Sequence, residues 1–218
     1  MQDLKYEEFP DQDLKPNSLV ILLHGIGADA FDLIPLAKYW ASTLTKTKFY
    51  SLHAPYPYQL APSGRQWFGL EDRDQTRILK EIELIKPLIV AFTKSKLKYH
   101  NLQYKDLILV GFSQGTMVAL NITLTIKEEI RGVLGYSGGV ILTKSGKINI
   151  NSKPKVCLIH GKDDEVVPKK MMEATKIILK DSNIDIDTYL IENLDHSINQ
   201  ECLEIGQNFL VKHLLKCY

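Results

Sequence analysis

Between Leu19 and Ile191 the chain repeats one pattern: a short apolar run, a break at glycine or a polar residue, then a longer segment of helical spacing. Leu19–Leu23 (LVILL), Phe49–Leu52, Leu107–Val110 (LILV), Gly132–Tyr136 and Val156–Ile159 (VCLI) read as strands buried on both faces. Ile184–Ile191 is rich in β-branched residues and partly alternating, as a strand near a sheet edge would be. Helices fill the gaps. Leu33, Ala37, Trp40 and Leu44 keep a helical step, with Asp32 as the expected N-cap and Pro35 tolerable in the first turn. Ile78, Ile82, Ile85, Ile89 and Phe92 share that rhythm, and Pro87 is expected to kink or split their helix. Further helices are expected over Thr116–Thr125, from near Pro168, and from about Gln200 to Leu215. Strands alternating with helices in this way specify an α/β fold with a mostly parallel sheet and helices on both faces. No repeat, low-complexity tract or linker interrupts the 218 residues, so one domain over 1–218 is the better count.

Charge then narrows the partners. The chain carries 27 Lys+Arg against 26 Asp+Glu, a formal charge of +1, which leaves no electrostatic footprint for a polyanion. Only Arg65, Arg73, Arg77 and Arg131 are arginine, the residue best suited to bidentate phosphate and base recognition. Nucleic acid is therefore not an expected partner. No apolar run approaches the ~18 residues of a membrane span, and the opening MQDLKYEEFP is unlike a secretory leader. Cys157, Cys202 and Cys217 are too few and too scattered for a disulfide framework or a zinc site. Together these features point to a soluble, cytoplasmic protein. The oligomeric state is left open, a homodimer included.

In open α/β sheets, ligands bind beyond the carboxyl ends of the strands. Four segments there hold the chemistry: His24-Gly25-Ile26-Gly27, Gly111-Phe112-Ser113-Gln114-Gly115, His160 to Asp164, and Leu194-Asp195-His196. The second fits G-x-S-x-G, a sharp strand-to-helix turn that exposes a serine and needs small residues two positions either side. A serine hydroxyl is a weak nucleophile and needs a base oriented by a carboxylate; where the serine sits in a G-x-S-x-G turn of an α/β sheet, the chain order is Ser, then Asp or Glu, then His. His160 precedes the acid candidates and His213 sits within the last helix, so His196 is the expected base. Asp163, Asp164 and Glu165 all remain open as the acid. The small residues of His24-Gly25-Ile26-Gly27 suit a backbone N–H aimed into the cleft, and the N–H of Gln114 would be the second oxyanion donor.

With these segments assembled, the chain resembles the carboxylesterase/phospholipase family that includes acyl-protein thioesterases and lysophospholipases. The resemblance runs from about Ser18 to Lys212 and rests on LLHGIGADA (22–30), APSGRQWFGL (61–70), GFSQGTMVAL (111–120), GYSGGV (135–140), HGKDDEVVP (160–168) and DHSI (195–198). It implies an α/β-hydrolase fold, and 218 residues leave little room for a large lid domain. It also implies Ser113 as nucleophile, His196 as base, and Ile26 and Gln114 as oxyanion donors. The family pattern H-G-x-x-D-x-x-V-P, laid on His160 to Pro168, selects Asp164 as the acid. Trp67 and Phe68 fall in a segment expected near the acyl-binding groove. Gly69 replaces an Asp common after W-F, and Asp195 stands where a small or apolar residue is usual; the latter could alter the titration of His196.

The expected activity is hydrolysis of short- to medium-chain acyl esters through an acyl-enzyme, with no metal or cofactor required. Protein thioesters and lysophospholipids are the alternative acyl donors. A catalytically silent binding protein of the same fold would be expected to lack a triad member, and here all three positions are filled.

Overall fold

In the computed structural model, which describes residues 4–11, 14–70 and 74–215, the apolar runs pair side by side in one sheet. Arg73 and Cys217 lie outside the described residues. The strands in chain order are β1 (Tyr6–Phe9), β2 (Ser18–Leu23), β3 (Thr47–Leu52), β4 (Tyr56–Pro57), β5 (Arg65–Gln66), β6 (Leu107–Phe112), β7 (Gly132–Tyr136), β8 (Lys155–Gly161) and β9 (Ile186–Ile191). Seven of them form the sheet in the order β1-β3-β2-β6-β7-β8-β9, with only β1 antiparallel to its neighbour. β4 and β5 make a separate short hairpin. β9 is an edge strand, as its partial alternation foretold, but it starts at Ile186 because Ile184 belongs to the turn closing the preceding helix.

The helices are α1 (Ile34–Ala41), α2 (Gln75–Tyr99), α3 (Gln114–Thr125), α4 (Lys170–Asp181) and α5 (Gln200–Leu214). Alternate side chains of each central strand reach opposite faces, so the sheet divides the core in two. Leu19, Ile21 and Leu23 pack with α2, α3 and α4. Val20 and Leu22 pack with α1 and α5 on the other face, where Trp40 Nε1 also donates to Leu203 O at 3.1 Å. α3 is buried nearly all round, so its apolar residues are spread around the helix instead of forming one stripe, and Gln114, Thr116, Asn121 and Thr123 are buried with them. The architecture is that of an α/β hydrolase, and the described residues form no large lid. No helix among the described residues is long and apolar enough to cross a membrane.

Two local expectations are corrected. Asp32 does not cap α1: Asp29 Oδ1 accepts from Phe31 N at 2.9 Å and caps a 3₁₀ turn over Ala30–Leu33, after which α1 begins at Ile34. Leu44 lies beyond the end of α1, although it is buried. Pro87 does not split α2, which runs unbroken through 25 residues. Pro87 and Glu83, whose carbonyl loses its helical donor, both face solvent, while Ile78, Ile82, Ile85 and Ile89 form an uninterrupted buried stripe.

Candidate active site

The ends of β2, β6, β8 and β9 place the four polar segments along one edge of the sheet. Ser113 joins β6 to α3 at φ 53°, ψ −116°, a conformation that costs an ordinary residue about 1–3 kcal/mol. That strain is held by close backbone packing. A Cβ on Gly115 would lie 1.9 Å from Leu23 O, so only glycine lets α3 start against the end of β2. Ser113 N donates to Tyr136 O at 2.9 Å, tying the turn to β7 as well.

The sharp turn leaves Ser113 Oγ 2.9 Å from His196 Nε2. His196 sits in the loop between β9 and α5, with its Nδ1 2.8 Å from Asp164 Oδ2. Phe112 lies against the imidazole at a centroid distance of 4.9 Å. Asp164 is a buried carboxylate on an exposed loop: Asp163 and Glu165 on either side face solvent. Its Oδ1 accepts from Val166 N at 3.0 Å and Val167 N at 2.8 Å. Burial pushes the Asp164 carboxyl up, but the His196 hydrogen bond, the Val167 amide and the two nearby imidazoles outweigh it and hold the group below the usual carboxylate range. Of the three acids that sequence spacing left open, Asp164 is the one in contact with His196. Asp195 turns toward Ser197, whose hydroxyl donates to it at 2.5 Å.

Ile26, Ser113 and Gln114 line one cavity of about 210 Å³. Among the described residues the amides of Ile26 and Gln114 have no hydrogen-bond partner, whereas the next amide, of Gly27, donates to Arg65 O at 2.9 Å. The remaining walls are mostly apolar and include Phe68, Ile78, Met117, Ile141 and Met171.

Trp67 and Phe68 part company. Both are fully buried, but only Phe68 lines the cavity; Trp67 stands behind it, its Nε1 donating to His24 O at 2.9 Å. Sequence reasoning missed what holds them. The side chain of Gln114 accepts from Trp67 N and donates to Phe68 O, both at 2.7 Å, so this residue fixes the cavity wall as well as offering its amide. His24 has a bracing role that its segment does not signal in the sequence. Its Nδ1–H donates to Gly25 O at 2.7 Å and its Nε2 accepts from Ala54 N at 3.1 Å, bracing the loop before Ile26. Burial, chiefly, pushes the His24 imidazole down to about 4, so it is neutral near pH 7. Gly69, at the other departure from the resemblance, is held by its backbone: its N–H donates to Glu81 Oε2 at 2.7 Å and its carbonyl accepts from Arg77 Nη2 at 3.3 Å. Cys157 and Cys202 are free, buried thiols, and burial raises Cys157 to about 12.

Known proteins match this arrangement along nearly the whole chain. A family model described as phospholipase/carboxylesterase covers residues 4–214. A crystal structure of esterase PE8 superimposes with a TM-score of 0.90 at 34% identity, covering 98% of this chain and all (100%) of that one. Esterase YpfH of Escherichia coli K12 is 22% identical over 99% of this chain and 92% of its own. Acyl-protein thioesterase 1 of Gibberella zeae is 26% identical, with 89% of this chain and 90% of that protein covered. The chain thus belongs to the phospholipase/carboxylesterase family and is an ester hydrolase.

Proposed function

We propose that the chain hydrolyses short- to medium-chain acyl esters through a Ser113–His196–Asp164 triad and an acyl-enzyme. His196 Nε2 takes the proton from Ser113 Oγ as that oxygen attacks the acyl carbon. Asp164 holds the imidazole in the Nδ1–H tautomer and stabilises the imidazolium as it forms. The amides of Ile26 and Gln114 donate to the developing oxyanion, each worth roughly 10²–10³ in rate when well aimed. The tetrahedral intermediate collapses, His196 returns its proton to the departing alcohol, and water activated by the same imidazole then releases the acid. The observation that carries this reading is one unbroken hydrogen-bond chain, Asp164 to His196 to Ser113, ending at the mouth of an apolar cavity.

The cavity supports the acyl length. Its volume of about 210 Å³ lies below the roughly 300–1,000 Å³ of pockets that engulf drug-sized ligands, so it suits a short or medium chain better than a long one. A panel of p-nitrophenyl esters from acetyl to palmitoyl tests this: kcat/KM should peak at or below about eight carbons. A peak at palmitoyl would contradict the assignment. The thioesterase relatives motivate a second acyl donor, and matched thioesters in the same panel decide between them. Higher kcat/KM for thioesters throughout would move the assignment to thioester hydrolysis with the same residues.

A further inference from the structure

We propose that His160 is a positioning residue for acyl transfer, holding the turn that presents Asp164 to His196. The inference rests on the triad reading above and concerns how its carboxylate is kept in place. Asp164 Oδ2 meets two imidazoles. His196 Nδ1 lies at 2.8 Å and His160 Nε2 at 3.3 Å. His160 Nε2 is also 2.7 Å from Val167 O. A carbonyl oxygen only accepts, so Nε2 carries the proton and donates it to Val167 O, with the Asp164 carboxylate 3.3 Å from the same nitrogen.

Val167 closes the arrangement. Its carbonyl accepts from His160, while its own N–H donates to Asp164 Oδ1 at 2.8 Å. The relay His160–Val167–Asp164 therefore ties the 160–167 turn to the carboxylate through both polar groups of the Val167 backbone. The side chains of His160 and Asp164 are both fully buried, so no solvent competes for these bonds. His160 Nδ1 is buried and has no partner among the described residues. A core position serving packing alone gains nothing from a ring with one orphaned nitrogen, whereas a site that needs one donor at this reach does.

The neighbouring residue joins the same turn to the base. A Cβ on Gly161 would lie 2.2 Å from Leu194 O and 2.3 Å from Asp195 O, so only glycine lets the loop carrying His196 close on the end of β8. Lys162 N and Asp163 N then donate to Ile191 O and Leu194 O at 2.8 and 3.0 Å. His160 thus fixes the acid, and Gly161 brings the base's loop to it.

The test compares His160→Phe, which keeps a ring without the donor, with His160→Gln, which keeps a donor, in the full chain. Hydrolysis of p-nitrophenyl butyrate is measured for each, alone and with Asp164→Asn. His160→Phe should lower kcat by about 10- to 100-fold, as expected of a catalytic group displaced by up to an ångström, with KM within twofold. His160→Gln should recover a large part of that loss. With Asp164→Asn present, His160→Phe should cost less than about twofold more, because the group it positions is already gone. Unchanged kcat in His160→Phe, or an equal fold-loss in the Asp164→Asn background, overturns the proposal while leaving the triad standing. Full activity in Asp164→Asn alone overturns the triad reading and this proposal with it. One measurement needs no variant: long-range ¹H–¹⁵N spectra of the wild-type protein should show His160 as the Nε2–H tautomer. An Nδ1–H tautomer overturns the proposal whether or not His160→Phe folds.

Discussion

Two cavities flank the loop that follows β2, and they differ in size and in lining. Ile26, on one side, opens on the apolar space of about 210 Å³ that contains Ser113. Asp29, on the other, opens on a space of about 410 Å³ lined with Lys5, His53 and Arg65. The larger one includes Ser63, for which no hydrogen bond to an imidazole is found among the described residues. Its polar groups serve the frame: Arg65 Nη2 donates to Pro55 O at 2.8 Å, and His53 Nδ1 accepts from Ala30 N at 3.4 Å. The smaller one joins an apolar wall to a polarised hydroxyl and two free amides. Chemistry is thus located by the convergence of unlike groups on one point, and volume alone would have chosen the wrong side of the loop.

The sharpest way to break this comparison is Ser113→Ala. It should reduce turnover of p-nitrophenyl butyrate by more than ~10⁴-fold while the circular dichroism spectrum stays that of the folded protein. Next in size is the acid. Asp164→Asn should cost about 10³–10⁴ in kcat, since the imidazole loses its orienting partner; Asp163→Asn, on the exposed neighbour, should stay within twofold.

The wall between the cavities has its own signature, in stability. His24 is pushed down to about 4 in the folded protein and returns to ~6.5 when unfolded, so between those pH values the unfolded chain binds more protons. Stability therefore falls as pH drops from about 6.5 to 4, by on the order of 3 kcal/mol from this group. Urea titrations at pH 7 and pH 5 should show the loss, and His24→Asn should flatten it.

Smaller effects separate the two linings. Met171→Trp, which fills the apolar cavity, should lower kcat/KM for octanoyl relative to acetyl esters about tenfold. Lys5→Ala, in the larger space, should leave every ester within twofold. A changed chain-length profile in that variant would show the larger cavity taking part in acyl selection.

Much of this geometry was legible in the chain because strand ends carry their own punctuation. Five apolar runs became parallel strands, and the glycines around Ser113 marked the turn where the helix must start. The acid was not legible from spacing, since Asp163, Asp164 and Glu165 are adjacent carboxylates. Burial separates them, and burial depends on Val166, Val167 and His160 folding over the middle one. The family resemblance had selected the same residue. Trp67 and Phe68 show the same limit: neighbouring aromatics read alike in sequence, and only the fold sets Phe68 in the cavity wall and Trp67 on His24 O. Tyr6–Phe9 carries no strand signal because it is four residues long with two glutamates at its centre, and only pairing with β3 makes it a strand. His160 was set aside as a base on chain order, which tests only that one role and is silent on holding a carboxylate.

The central claim, that Ser113 is a nucleophile activated by His196, is tested most directly by reaction with a fluorophosphonate probe followed by peptide mass spectrometry. The account predicts one adduct, on Ser113, formed at a rate that falls steeply in His196→Ala and absent in Ser113→Ala. No adduct, or an adduct on another residue with Ser113 unmodified, would contradict it.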